Sequence, residues 1–203
     1  MNLSQIRKSL WGTFAILPLL FSTPALAEWG AYLGFNLANM DIVPSTRSEN
    51  KTSLILGAHY GFEFGEVWTL EPGLQYAQRG FTYYLGTSAI DFSVAYIEVP
   101  VVMKARFTTK KDITWVLLGG FDVGIATGNA SCAIASDDFC IAGRNLNTFH
   151  FGLQAGGGLE IRVNSTERLT VTLKYLYGLT EVAHSSAYEL RNRGIEILLG
   201  YEF

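Results

Sequence analysis

A chain of 203 residues with a formal net charge of −3 suits a single domain, and with no basic patch it argues against a nucleic-acid partner. Apolar residues make up 49% of it, yet no run of about 18 or more uninterrupted apolar residues exists, which excludes a membrane-spanning helix. The apolar content is instead spread in alternation, with abundant Gly, Tyr and Phe.

The chain begins with a targeting pattern. Arg7 and Lys8 precede an apolar core from Leu10 to Phe21, and Ala25-Leu26-Ala27 supplies small-x-small before a cut. The run is too short for an anchor and is interrupted by Pro18 and Pro24. Residues 1–27 are therefore expected to be a secretory signal cleaved between Ala27 and Glu28. Residues 28–203 then remain as one domain, with a formal charge of −5 once Arg7 and Lys8 are lost.

Beyond it, period-two alternation predicts eight strands. Trp29 to Met40 is the first, with Trp29, Ala31, Leu33, Phe35 and Leu37 on one face and Tyr32, Asn36 and two glycines on the other. Asp41 to Thr52 is polar, contains Pro44 and reads as a loop. Ser53 to Phe64 is the second strand; Leu54, Leu56, Tyr60, Phe62 and Phe64 oppose His59 and Glu63, and Gly65-Glu66 turns tightly. Trp68 to Arg79 is the third, with Trp68, Leu70, Leu74 and Tyr76 against Glu71, Gln75 and Arg79. Gly80 to Asp91 reads as a longer loop.

The cleanest alternation lies in the fourth strand, Phe92 to Phe107. Ile97, Val99, Val101, Met103 and Phe107 oppose Glu98, Lys104 and Arg106. A short polar turn, Thr108 to Asp112, leads to the fifth strand, Ile113 to Thr127, with Trp115, Leu117, Phe121, Val123 and Ile125 outward and Asp122 inward. Gly128 to Asn147 is the longest loop and holds both cysteines. Thr148 to Val163 is the sixth strand, placing Phe149, Phe151, Leu153, Leu159, Ile161 and Val163 outward and His150, Gln154, Glu160 and Arg162 inward. After the turn Asn164 to Arg168 comes the seventh, Leu169 to Tyr177, with Val171, Leu173 and Tyr175 out and Lys174 in. Gly178 to Asn192 is the last loop, and Gly194 to Phe203 is the closing strand.

Three patterns turn this list into an architecture. Connections alternate long and short, as in outer-membrane barrels with short periplasmic turns and longer outer loops. Trp29, Phe64, Trp68, Phe107, Trp115 and Phe203 all fall at short-turn ends, where they would form one interfacial ring; Tyr83, Tyr84, Phe92, Tyr96, Phe149 and Tyr177 cluster near the other end. A last strand with Tyr201 and Phe203 on its apolar face would be a bare edge in a soluble sheet, a problem that closure against the first strand in lipid removes.

The closing strand resembles that of small bacterial outer-membrane barrels, whose terminal aromatic residue is read by the barrel assembly machinery; Tyr201 and Phe203 stand at the corresponding places. Tyr96-Ile97-Glu98-Val99-Pro100-Val101-Val102-Met103-Lys104-Ala105-Arg106-Phe107 is similar to the core motif of the porin-like outer membrane protein beta-barrel domain family. So are Glu71-Pro72-Gly73-Leu74-Gln75-Tyr76, with Arg79-Gly80 after it, and Gly152-Leu153-Gln154-Ala155-Gly156-Gly157-Gly158-Leu159-Glu160. The resemblance spans the mature chain. It implies a fold and a location but carries over no catalytic residue.

Cys132 and Cys140 lie in one loop without a partner His, a poor zinc set. In an exported chain they read as a disulfide. Gly152, Gly156, Gly157 and Gly158 sit inside a strand with no helix after them, so they are no phosphate loop and instead permit curvature or close packing. His59, His150 and His184 share no ligand spacing, and neither a metal nor another cofactor is expected. Asn164-Ser165-Thr166 matches a glycosylation sequon, but an Asn in a tight turn accounts for it. His184-Ser185-Ser186 with Glu189 and Glu196 loosely resembles the base, nucleophile and orienting acid of outer-membrane lipid A deacylases, but its context does not match.

The inward charges are the most informative set. Glu63, Glu71, Glu98, Asp122, Glu160 and Glu196 oppose Arg79, Lys104, Arg106, Arg162 and Lys174. A buried charge alone is costly, so these are expected to pair across a lumen just wide enough for its own side chains. The reading is an all-β, eight-stranded antiparallel up-and-down transmembrane β-barrel: no enzyme, partnered by the lipid bilayer, with a structural, surface-binding or weak porin-like role and four outer loops of unknown ligand. The rivals are a soluble periplasmic lipocalin-like barrel, which would turn the apolar parity inward, and the deacylase.

Overall fold

The computed structural model describes residues 27–43, 48–85, 88–110, 112–128, 131–132, 147–182 and 189–203. Eight long strands form one closed antiparallel barrel: β1 (Ala27–Val43), β2 (Ser48–Phe64), β3 (Trp68–Leu85), β4 (Ser88–Lys110), β5 (Ile113–Ala126), β7 (Phe149–Arg162), β8 (Arg168–Glu181) and β9 (Glu189–Glu202). The two-residue β6 (Ser131–Cys132) lies against β4 at Ser93 and Phe92. Each long strand pairs with its neighbour in sequence, and β1 pairs with β9 to shut the ring. At that seam the Trp29 amide donates to the Phe203 carbonyl at 3.2 Å and the Phe203 amide to Trp29 at 2.9 Å.

The short connections are built for their job. Gly65 takes φ +70°, a left-handed conformation that glycine adopts at no steric cost. In the turn after β7, the Asn164 side-chain oxygen accepts from the Thr166 and Glu167 amides at 3.0 and 2.8 Å, which is the structural use of that asparagine. On β7, a Cβ at Gly156 would meet the β8 backbone at Leu173 and Lys174, and one at Gly157 would stand 2.9 Å from the Val116 carbonyl. The glycine run therefore permits close strand packing.

Inside and outside follow the predicted parity. Leu33, Leu74, Leu117 and Leu173 are 55–60% exposed, while Glu98, Glu196 and Arg79 on the other parity are buried to within 1%. Exposing Leu-sized side chains to water would forfeit about 1.5–3 kcal/mol each, so a continuous apolar belt of this kind belongs in lipid. Trp29, Trp68, Phe107, Trp115 and Phe203 are exposed at the short-turn end, and Phe64 is half-buried. At the other end Phe92 and Tyr96 point inward and are buried, with Phe92 and Phe81 rings 5.3 Å apart. Phe149 is exposed there.

The strands run further than the alternation predicts. Most of Gly80 to Asp91 is a β3–β4 hairpin paired as far as Leu85 with Ser88, and the β1–β9 ladder reaches Val43 with Glu189. The physical reason is that alternation records a lipid face. Where strands stand clear of hydrocarbon that face is no longer needed, yet the backbone groups still pair.

Candidate functional site

The lumen is filled by side chains of the inward parity, arranged along the barrel in two ionic layers. Near the short turns, Lys104 on β4 reaches Glu71 on β3 at 2.8 Å, Glu202 on β9 at 3.0 Å and Glu160 on β7 at 3.4 Å. Arg106, two residues on, spreads its guanidinium over Glu63 (2.6 Å), Glu160 (3.0 Å), Glu202 (3.3 Å) and Glu28 (3.5 Å). Arg168 contacts Glu28 and lies 3.5 Å from Glu202. His59 stands 3.6 Å from Glu202 and 4.0 Å from Glu71.

Nearer the loop end, Arg79 holds Glu98 with both Nε (2.9 Å) and a terminal nitrogen (2.7 Å) and reaches Glu196 at 3.2 Å. Lys174 closes on Glu196 at 2.9 Å and donates to the Gln154 side chain at 3.1 Å. Gln75 donates to Glu98 at 2.5 Å and accepts from the Tyr32 hydroxyl at 2.8 Å, tying the layer across three strands. Between the two layers lies a cavity of about 50 Å³, lined by Tyr32, Pro100, Val102, Leu118, Thr172 and Leu198 among others.

Asp122 and His150 form a third group beside Glu98. His150 Nε2 lies 2.9 Å from Asp122 Oδ2, and the His150 ring stacks obliquely on Tyr96 at 5.4 Å. Among the described residues, two sets of three side chains bring potential metal-ligating atoms within 4.8 Å of one another: Glu98, Asp122 and His150, and His59, Glu71 and Glu202. In the second set the Lys104 ammonium already sits between the carboxylates.

Of the inward charges predicted from sequence, Glu63, Glu71, Arg79, Glu98, Lys104, Arg106, Glu160, Lys174 and Glu196 meet in ion pairs, and Asp122 meets His150. Arg162 is a correction. It has the inward parity, but it stands at the last residue of β7, is exposed, and joins none of the ion pairs among the described residues. Glu202, Arg168 and Glu28 were missed as lumen residues. For Glu202 the signal was there, because it shares the parity of Glu196 on the closing strand. Cys140 and the Cys132 side chain, His184, Ser185 and Ser186, the Glu189 side chain, and residues 1–26 lie outside the described residues.

A lipocalin-like barrel is not compatible with this interior, which is charged where such a fold would be apolar. Neisserial surface protein A superposes with a TM-score of 0.52 at 14% identity, over 87% of this chain and 95% of that one. OprG from Pseudomonas aeruginosa gives 0.52 at 10% identity, over 87% and 94%. Ail, the attachment invasion locus protein of Yersinia pestis, gives 0.46 at 16%, over 87% and 99%. At these identities the likeness is one of fold. No curated protein matches the chain. The family model of the outer membrane protein beta-barrel domain matches residues 21–184. The chain thus belongs to that family, as an eight-stranded barrel of the bacterial outer membrane.

Proposed function

We propose that the protein is a closed scaffold in the outer membrane, neither an enzyme nor an open pore, with a structural or surface-binding role at its loop end. The observation that carries this reading is the lumen itself. Two ionic layers and the apolar residues between them occupy the bore, and Arg79, Glu98, Lys104 and Glu196 are all at least nine-tenths buried. The connections β2–β3, β4–β5 and β7–β8 face the periplasm and the four at the opposite end face outward, as the family's topology implies. The barrel assembly machinery inserts the chain by its closing strand.

Export by a signal ending at Ala27 fits the geometry. Glu28 supplies its carboxylate to Arg106 and Arg168, so a cut between Ala27 and Glu28 keeps the network whole. A lipid A deacylase role is disfavoured because Glu196, one of its two would-be acids, is bound to Arg79 and Lys174 inside the barrel. A lipid A assay on membranes, with Ser186→Ala as control, tests that point.

The decisive measurement for the scaffold is single-channel current in a planar bilayer. The unmutated protein should give none above background. Large, stable, salt-dependent steps would make it a porin-like channel instead and overturn the reading.

A further inference from the structure

We infer that the loop-end half of the lumen is a binding site for one divalent transition-metal ion of the zinc class, ligated by Asp122 and His150 with Glu98 as the third donor. The strand register builds the place. Glu98 on β4 pairs with Gly124 on β5, which pairs with His150 on β7, and Asp122 pairs with Gly152. Three ligating side chains therefore surround two residues that have none.

The glycines hold the space open. A Cβ at Gly152 would stand 2.8 Å from Asp122 Oδ1 and 3.2 Å from His150 Nε2, and one at Gly124 would stand 2.6 Å from Glu98 Cγ. The Asp122 and His150 ligand atoms already have coordination spacing. Metal–ligand bonds of about 2.0–2.1 Å place neighbouring ligand atoms about 2.8–3.4 Å apart. His150 Nε2 and Asp122 Oδ2 are 2.9 Å apart, and all three donors lie within 4.8 Å.

The pair lacks other partners. Asp122 is 1% exposed and His150 2%, yet neither Asp122 oxygen nor His150 Nε2 makes a hydrogen bond among the described residues; their 2.9 Å approach lacks hydrogen-bond geometry. A buried carboxylate in that state is costly unless a cation joins it. Arg79 is bound to Glu98 and Glu196, and Lys174 to Glu196, so the His150 imidazole is the one basic group within ion-pair distance of Asp122 among the described residues.

Donor chemistry selects the ion. Calcium and magnesium take all-oxygen shells, whereas an imidazole beside carboxylates suits zinc and its first-row neighbours. Arg79 and Gln75 fix the orientation of Glu98, the supporting role that hydrogen-bonded carboxylates play around metals. The second cluster makes the contrast: around His59 the lysine ammonium takes the cation's place.

The test uses full-length protein extracted from the outer membrane in detergent, stripped with chelator and titrated with Zn²⁺ by calorimetry. One Zn²⁺ per chain should bind. Asp122→Asn and His150→Gln should each weaken it at least tenfold, and Gly152→Ala should do the same while leaving every ligand in place. His59→Gln should leave it unchanged. Absence of binding to the unmutated protein would overturn the inference, as would binding untouched by the Asp122 and His150 changes or lost equally with His59→Gln. Should those variants fail to fold, Co²⁺ added to the unmutated protein decides: visible ligand-field bands with nitrogen and oxygen donors support the site, and their absence refutes it.

Discussion

Lys104→Met probes the short-turn layer at its centre. The ammonium lies 2.8, 3.0 and 3.4 Å from Glu71, Glu202 and Glu160. After its removal Glu160 and Glu202 keep Arg106 at 3.0 and 3.3 Å, but within ion-pair distance Glu71 keeps only His59, at 4.0 Å, among the described residues. The change thus strands one buried carboxylate, and breaking a buried pair from one side costs about 3–5 kcal/mol. Lys51→Met is the reference, since the Lys51–Asp91 contact is 3.6 Å long at the barrel's exposed rim, where such pairs contribute about 0–1 kcal/mol. Equilibrium unfolding by urea from lipid vesicles reads both. Adding Glu71→Gln to Lys104→Met should recover much of the loss, because the stranded charge is gone. If Lys104→Met costs no more than Lys51→Met, or if the two substitutions at 104 and 71 simply add, the ionic layer does not hold the barrel shut.

Val101 faces lipid and Val102 faces the lumen, so Val101→Arg should cost about 2–4 kcal/mol near the midplane and Val102→Thr far less in the same unfolding assay. Equal damage would mean a one-residue slip of register. Deleting Phe203 removes both backbone bonds to Trp29 and the terminal aromatic, and should lower the heat-modifiable, folded form in outer membranes. An unchanged level there counts against its assembly role. Cys132 and Cys140 should resist thiol labelling in the unfolded, unreduced protein, the bond contributing about 2–3 kcal/mol by closing a short loop. Labelling of both without reductant refutes the pairing.

The barrel was legible because lipid and lumen impose opposite demands on successive residues. Ile97, Val99 and Met103 against Glu98 and Lys104 can satisfy only a strand with two unlike solvents, and the structure turns each as expected. Loop lengths were misread for the same reason. Thr82 and Asp91 carry no apolar face, yet they sit opposite one another in the β3–β4 ladder, where their side chains hydrogen-bond at 2.5 Å. Polar strand and polar loop look alike when water bathes both faces.

The site was legible by residue and not by partner. Parity says that Arg79 and Glu196 point inward, but they are 117 positions apart, and their contact depends on the stagger of all eight strands, which no local pattern states. Parity is also blind to depth. Arg162 passes the alternation test and is still exposed, because it stands at the last residue of β7. The histidines expose the same limit from the other side. His150 shows no ligand spacing along the chain, since its companions Glu98 and Asp122 are on two other strands and meet it only through Gly124 and Gly152. In a barrel, the positions that define a site are as much the missing side chains as the present ones, and a glycine in a strand announces room without saying for what.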